Sequence, residues 1–96
     1  LTTNKKEYVI SKQILRSGTS IGANVNEALC SISKKEYLSK MYISYKEASE
    51  SQYWLELLKE SNYINECEFD YLNKKCEELR RILSSITKTT RESLNS

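Results

Sequence analysis

Residues 66–86, ECEFDYLNKKCEELRRILSSI, place Phe69, Leu72, Cys76, Leu79, Leu83 and Ile86 at successive steps of 3, 4, 3, 4 and 3. Steps of three and four keep side chains on one stripe of an α-helix, whereas a strand repeats every two residues. The stripe is a heptad seam suited to packing against an antiparallel neighbour. Just ahead of it, Asn65-Glu66-Cys67-Glu68 sets a capping side chain three residues before a Glu. In that arrangement the cap accepts from a free backbone N–H and the Glu answers back to the cap's own N–H. The spacing recurs in Asn4-Lys5-Lys6-Glu7 and Ser33-Lys34-Lys35-Glu36, so helix starts are expected near residues 5, 34 and 66.

The middle segment repeats the seam with Leu38, Met41, Tyr45, Ala48, Gln52, Leu55 and Leu58, Gln52 being the polar interruption. The first offers Ile10, Ile14, Ile21, Val25 and Ala28 around a centre, Ser17-Gly18-Thr19-Ser20-Ile21-Gly22-Ala23, of small and β-branched residues that are mediocre helix formers. Either the chain turns there or the helix continues and lets another helix approach closely. The surviving register from Ile14 through Ile21 to Val25 favours continuation. The expected fold is all-α: three long helices, each of about 25 residues and about 38 Å, in an antiparallel up-and-down bundle with short connections near residues 30–33 and 61–65. Residues 87–96, polar and rich in Thr and Ser, are expected to fray.

Ninety-six residues with no Pro, 2 Gly and 39% hydrophobic residues suit one small helical domain, and leave too little chain to enclose a deep pocket unaided. The absence of His removes the commonest general base and zinc ligand. That leaves Glu27 or Glu47 as the only plausible acid/base groups, so the chain is expected not to be an enzyme, and no catalytic residue, cofactor or metal is expected. Cys30, Cys67 and Cys76 are odd in number and lack a C-x-x-C pair, which points to reduced thiols in a cytoplasmic protein. Cys67 and Cys76, nine residues apart on one helix, point about 180° apart and cannot share an ion. No stretch approaches the ~20 apolar residues of a membrane helix, so no membrane partner is expected.

The segment Ser11-Lys12-Gln13-Ile14-Leu15-Arg16-Ser17-Gly18-Thr19-Ser20-Ile21-Gly22-Ala23-Asn24-Val25-Asn26-Glu27-Ala28 resembles the signature of the bacterial four-helix-bundle family labelled 23S rRNA intervening-sequence proteins. Ser33-Lys34-Lys35-Glu36-Tyr37, Lys46-Glu47-Ala48 and the Trp54-Leu55 pair extend the resemblance over nearly the whole chain. It implies a homo-oligomer, a pentameric ring, without established catalysis. The family pattern has a further amphipathic helix upstream of the position of Leu1, so the three helices here would be the second to fourth of a four-helix bundle. Without that first helix, an apolar groove would be left open. A related family, the accessory proteins of diversity-generating retroelements, forms similar pentamers that bind nucleic acid and a reverse transcriptase. RNA or DNA is therefore one expected partner class, and a docked protein the other.

Charge is segmented: residues 1–46 hold eight Lys/Arg against three acids, 47–79 three against nine, and 80–96 four against one. The basic stretches suit phosphates, or the acidic stretch of the same or a neighbouring subunit. Lys5, Lys12, Arg16, Arg80 and Arg81 are the candidate phosphate contacts. Arg16, Ser17, Ser20, Asn24 and Glu27 fall mostly on one helical face, and are expected to form a polar network that fixes register between helices or subunits. In it, Arg16 or Lys46 would pair with Glu27 or Glu47. Tyr37, Tyr42, Tyr45, Tyr53 and Trp54 share one helix, where such aromatics fill subunit interfaces or stack on bases.

Overall fold

The structure is a computed structural model that describes residues 5–95. Among these residues the chain is all-helical: α1 (Lys5–Leu29), α2 (Lys34–Glu60) and α3 (Glu66–Leu94). The Asn4 box reaches outside the described residues. At α3 the box is complete: Glu68 N–H donates to Asn65 Oδ1 at 2.7 Å and Asn65 N–H to Glu68 Oε1 at 2.9 Å. Ser33 caps α2 by accepting from Glu36 N–H at 3.1 Å, but the Glu36 carboxylate takes Ile32 N–H, one residue earlier than a full box requires. α1 runs unbroken through Ser17–Ala23. Thr19 returns its hydroxyl to Leu15 O at 2.9 Å, which satisfies it inside the helix.

α2 stops at a Schellman motif. Asn62 takes φ 63°, the left-handed region that Asn tolerates better than most residues with a Cβ. Tyr63 N–H then reaches Leu58 O at 2.9 Å and Asn62 N–H reaches Lys59 O at 3.0 Å, closing two otherwise open carbonyls. The expectation of a frayed tail from residue 87 fails, since α3 continues to Leu94. Thr87 extends the seam with a buried side chain whose hydroxyl bonds Ser84 O at 2.9 Å, and Thr90 does the same to Ile86 O at 2.8 Å. A threonine that satisfies its hydroxyl in the preceding turn presents its methyl to the core as an apolar residue would.

α2 is the central element. Ser44 Oγ lies 3.3 Å from Ile21 O, Arg16 reaches Glu47 and Glu50, and Lys40 reaches Glu27, so position falls along α2 as it rises along α1. The same reversal relates α2 to α3: Gln52 donates to Asn73 Oδ1 at 3.2 Å and Cys76 Sγ to Ala48 O at 3.2 Å. No Cα of α1 comes within 8 Å of one in α3. The three helices form an open layer, 53 × 22 × 14 Å, rather than a closed triangle.

The core is a cluster of Ile21, Ala28, Met41, Ala48 and Leu83, with Val25, Tyr37, Tyr45, Leu79 and Ile86 packed at its edge. The seam of α2 holds Met41, Ser44, Ala48, Ser51, Leu55 and Leu58. Its small members let α1 approach, and Ser17 and Ser44 are completely buried there. Tyr45 and Gln52, taken from the sequence as seam members, are only half-buried.

Candidate functional site

Of the polar residues expected to form a network, Arg16, Ser17, Ser20 and Asn24 on α1 come together with Glu47 on α2, and Glu27, Lys46 and Trp54 stand outside it. Arg16 lies 3.3 Å from Glu47 and 2.5 Å from Glu50, and also donates to Gln13 at 3.1 Å. Ser17 and Ser20 join the same carboxylates, Ser17 Oγ lying 3.4 Å from Glu50 and Ser20 Oγ 3.5 Å from Glu47. Asn24 donates back to Ser20, to the carbonyl at 2.9 Å and the hydroxyl at 3.2 Å. The two carboxylates raise the Arg16 pKa further, the hydrogen bond that Arg16 donates to Glu47 contributing most, and the guanidinium is a fixed charge.

Glu27 does not join this cluster, and Lys46 pairs with neither Glu27 nor Glu47. Lys40 stands level with Glu27 and holds it at 2.8 Å. Lys46 points out from the far side of α2, its ammonium 5.8 Å from the centre of the Tyr42 ring. Trp54 also stands apart: it meets Tyr53 edge-on at 5.1 Å, and its buried Nε1 has no acceptor among the described residues. Glu50 and Gln13 are the members that sequence reasoning missed, although Glu50, three residues after Glu47, shares its face of α2.

The five candidate phosphate contacts do not gather on one surface. Lys5 and Lys12 are exposed near the start of α1, Lys12 lying 5.7 Å from the Tyr8 ring centre. Arg80 and Arg81 both grip Glu77, at 2.7 and 3.0 Å, and Gln52 adds a hydrogen bond at 3.1 Å. These donors, Arg80 first, hold the Glu77 carboxyl at about 2. Burial pushes the Cys76 thiol upward, with Glu77 adding to the effect. Among the described residues no three His, Cys, Asp or Glu side chains are placed to hold a metal ion, and no helix is long and apolar enough to cross a membrane.

On the opposite side of the layer, a groove separates α1 from α3. At one end it is a cavity of about 450 Å³ lined by Ile14, Gly18, Ile21, Leu55, Leu58 and Leu79. At the other it is a cavity of about 530 Å³ bordered by Ser31, Ser33, Lys34, Thr89, Thr90 and Ser93. A Cβ added at Gly18 or Gly22 would meet nothing within 4 Å, so nothing among the described residues requires glycine at either position. Exposed apolar side chains border the groove on α1, Leu15 and Leu29 each being 70% exposed.

The comparisons agree with this architecture. A solved structure from Bacteroides thetaiotaomicron, described as a protein of unknown function from the S23 ribosomal protein family, is 47% identical and superposes with a TM-score of 0.83. The match covers 88% of this chain and 79% of that one. No curated protein matches the chain. Residues 1–85, including the Arg16 cluster and both ends of the groove's α1 wall, match the family described as 23S rRNA-intervening sequence protein, and the chain belongs to that family.

Proposed function

We propose that the chain is the subunit of a non-enzymatic, cytoplasmic homo-oligomer, a pentameric ring, that acts as a nucleic-acid-binding scaffold. Each subunit is an antiparallel up-and-down four-helix bundle, with α1–α3 as its second to fourth helices and a further helix laid in the groove. The observation that carries this reading is the groove itself, an apolar trough along one side of a layer only 14 Å deep. Leu72 and Leu79 from α3 and Ile14 from α1 face into it. A monomer rarely leaves so much contiguous apolar surface uncovered. The pentameric count is taken from the resemblance to ring-forming bundles. The non-enzymatic reading is supported by Glu27 and Glu47, the acid/base candidates, being held in ion pairs by Lys40 and Arg16.

The same trough supports a second reading, an adaptor that docks a protein such as a reverse transcriptase and never contacts nucleic acid. Light scattering behind size exclusion is expected to give five times the subunit mass, which is about five times 11.2 kDa for a ring of this chain and correspondingly more once the further helix is included. A monomer, from this chain and from one extended upstream by a helix of about 25 residues, would refute the assembly. Affinity for a labelled oligonucleotide that falls steeply with salt supports the scaffold reading, and its absence favours the adaptor.

A further inference from the structure

The helix pairing folds the charge segmentation of the sequence into two poles. α1 residues 17–29, α2 residues 34–46 and α3 residues 80–94 lie at the same end, because Lys40 meets Glu27 and Lys34 meets Ser93. That end carries eight Lys/Arg against three acids, while the other carries seven against ten. Much of the opposite end is self-neutralised, as with Arg16 between Glu47 and Glu50. At the basic end, Lys40 is spent on Glu27, while Arg80 and Arg81 share the single carboxylate of Glu77, which leaves one of their two charges uncompensated. Lys35, Lys46 and Lys88 are exposed and have no ion-pair partner among the described residues.

Position on the helices gathers these cations on one face. Taking about 100° per residue, Lys35, Tyr42 and Lys46 fall within a sector of about 40° on α2, on the side opposite the centre of the buried stripe of Met41, Ser44, Ala48, Ser51, Leu55 and Leu58. On α3, Arg81 and Lys88 are seven residues apart, on the side away from the groove-lining Leu72 and Leu79. Cys76 meets Ala48 and Lys34 meets Ser93, so Arg81 stands near the level of Tyr42, and Lys88 between Lys35 and Tyr42. Tyr42 is 44% exposed, with Tyr45 stacked beside it at 6.1 Å and Lys46 at its ring. The acids near these cations by helix position are Glu36 beside Lys35, Glu50 one turn beyond Lys46 and held by Arg16, Glu77 held by Arg80 and Arg81, Glu78 one turn before Arg81, and Glu92 one turn beyond Lys88.

We infer that this outer α2–α3 face of the basic pole is a binding surface for single-stranded nucleic acid, with Lys35, Lys46, Lys88 and Arg81 on phosphates and the Tyr42 ring stacking on a base. The inference rests on the nucleic-acid reading above and moves its surface, since Lys5 and Lys12 lie at the acidic pole. Cations interleaved with an exposed ring are what sequence-tolerant single-strand binding uses: the charges follow the backbone and every base offers a π-face. A flat outer face also leaves the groove free for the helix that completes the subunit.

The test is fluorescence anisotropy of the assembled protein with labelled 20-nucleotide RNA and DNA of one sequence, from 50 to 300 mM salt. A Lys35→Gln/Lys46→Gln/Lys88→Gln variant is expected to bind about tenfold or more weakly at low salt, with the slope of log K against log salt shallower by about 2. Tyr42→Leu is expected to weaken binding about fivefold or more while leaving that slope unchanged. Lys5→Gln/Lys12→Gln, at the other pole, is expected to bind as the parent does. Circular dichroism and mass show whether each variant retains fold and assembly. If the triple variant loses either, Lys35→Gln and Lys88→Gln taken singly are each expected to lower the slope by about 0.7. A triple variant that binds like the parent, or loss confined to the Lys5/Lys12 variant, overturns the assigned surface and leaves the nucleic-acid reading standing. A parent protein that binds neither polymer, or binds only anionic lipid vesicles, overturns both. The RNA and DNA arms say which strand is preferred.

Discussion

Leu83 and Ile82 are neighbours in sequence on opposite sides of a boundary, and replacing each by Ala measures where that boundary lies. Leu83 is 2% exposed and packs into the cluster of Ile21, Ala28, Met41 and Ala48, whereas Ile82 is 57% exposed. Truncating a buried Leu to Ala removes the transfer free energy of the lost carbons and leaves a cavity, together about 2 to 5 kcal/mol. The open groove beside this core gives neighbouring side chains room to relax, which places Leu83→Ala at about 3 kcal/mol. A 96-residue chain has an unfolding entropy of about 0.2 kcal/mol per degree, so the melting temperature should fall by about 15 °C. Ile82→Ala, with little area to lose within the subunit, should stay within about 0.5 kcal/mol, or 2 to 3 °C. Thermal melts by circular dichroism at matched concentration give both shifts directly. Equal shifts, or a larger one for Ile82, would refute the placement of the α3 seam and the α2–α3 register built on it.

Asn62 in the left-handed region should tolerate Gly with no loss, while Asn62→Ala should cost about 1 kcal/mol; urea titrations at constant m separate the two. Because the native Glu77 carboxyl is held at about 2, below its unfolded value, its contribution to stability is complete above pH about 4.5 and is lost as pH falls toward 2. Melts from pH 6 to 2 should show Glu77→Gln converging on the parent at the acid end, and a constant gap would contradict the Arg80 and Arg81 contacts. Gly18→Ala with Gly22→Ala should raise the helicity and melting point of the three-helix chain, since neither Cβ meets an obstacle. In the completed assembly the same pair should lower the mass measured by light scattering if a further helix passes close to α1.

The helices and their ends were legible because apolar steps of three and four, and Asn or Ser three residues before Glu, act locally. The α3 seam from Phe69 to Ile86 needed no knowledge of its partner. What packs against what was harder to read, because the α1–α2 contact is made by small polar residues. Ser44 and Ser51 are buried there beside Ser17, and a reading that looks for larger side chains passes over those two in favour of Tyr45 and Gln52. The step from Ser44 to Ala48 to Ser51 is the trace of that close approach. Arg16 and Glu47 were legible as network members by charge and face. The exchange of Lys46 for Lys40 at Glu27 was not, since it depends on the α1–α2 register, which only the packed structure supplies. The tail was misread because Thr87 and Thr90 look polar in a sequence, but in a helix they hide their hydroxyls in the preceding turn.

The architecture makes α2 the central link between two helices whose backbones stay more than 8 Å apart and meet only through the side chains of the shared core. Each side of α2 is specialised: Ser44 and Ser51 bring α1 close, while Tyr45, Gln52 and the carbonyl of Ala48 meet α3. The angle between α1 and α3 is therefore set by the two sides of one helix and by whatever fills the groove between them. On the proposed completion, a helix in the groove would touch all three others and bury Leu72, Leu79 and Ile14 together, converting an open layer into a closed core. Full burial of such a side chain contributes about 1.5 to 3 kcal/mol, and with Ile14 and Leu79 already half-buried and Leu72 41% exposed the remaining gain is under half of that for each, still a sizeable part of the stability of a domain this size. Folding and completion of the bundle are then linked, and the outer α2–α3 face with its unpaired lysines is the surface that such completion leaves available.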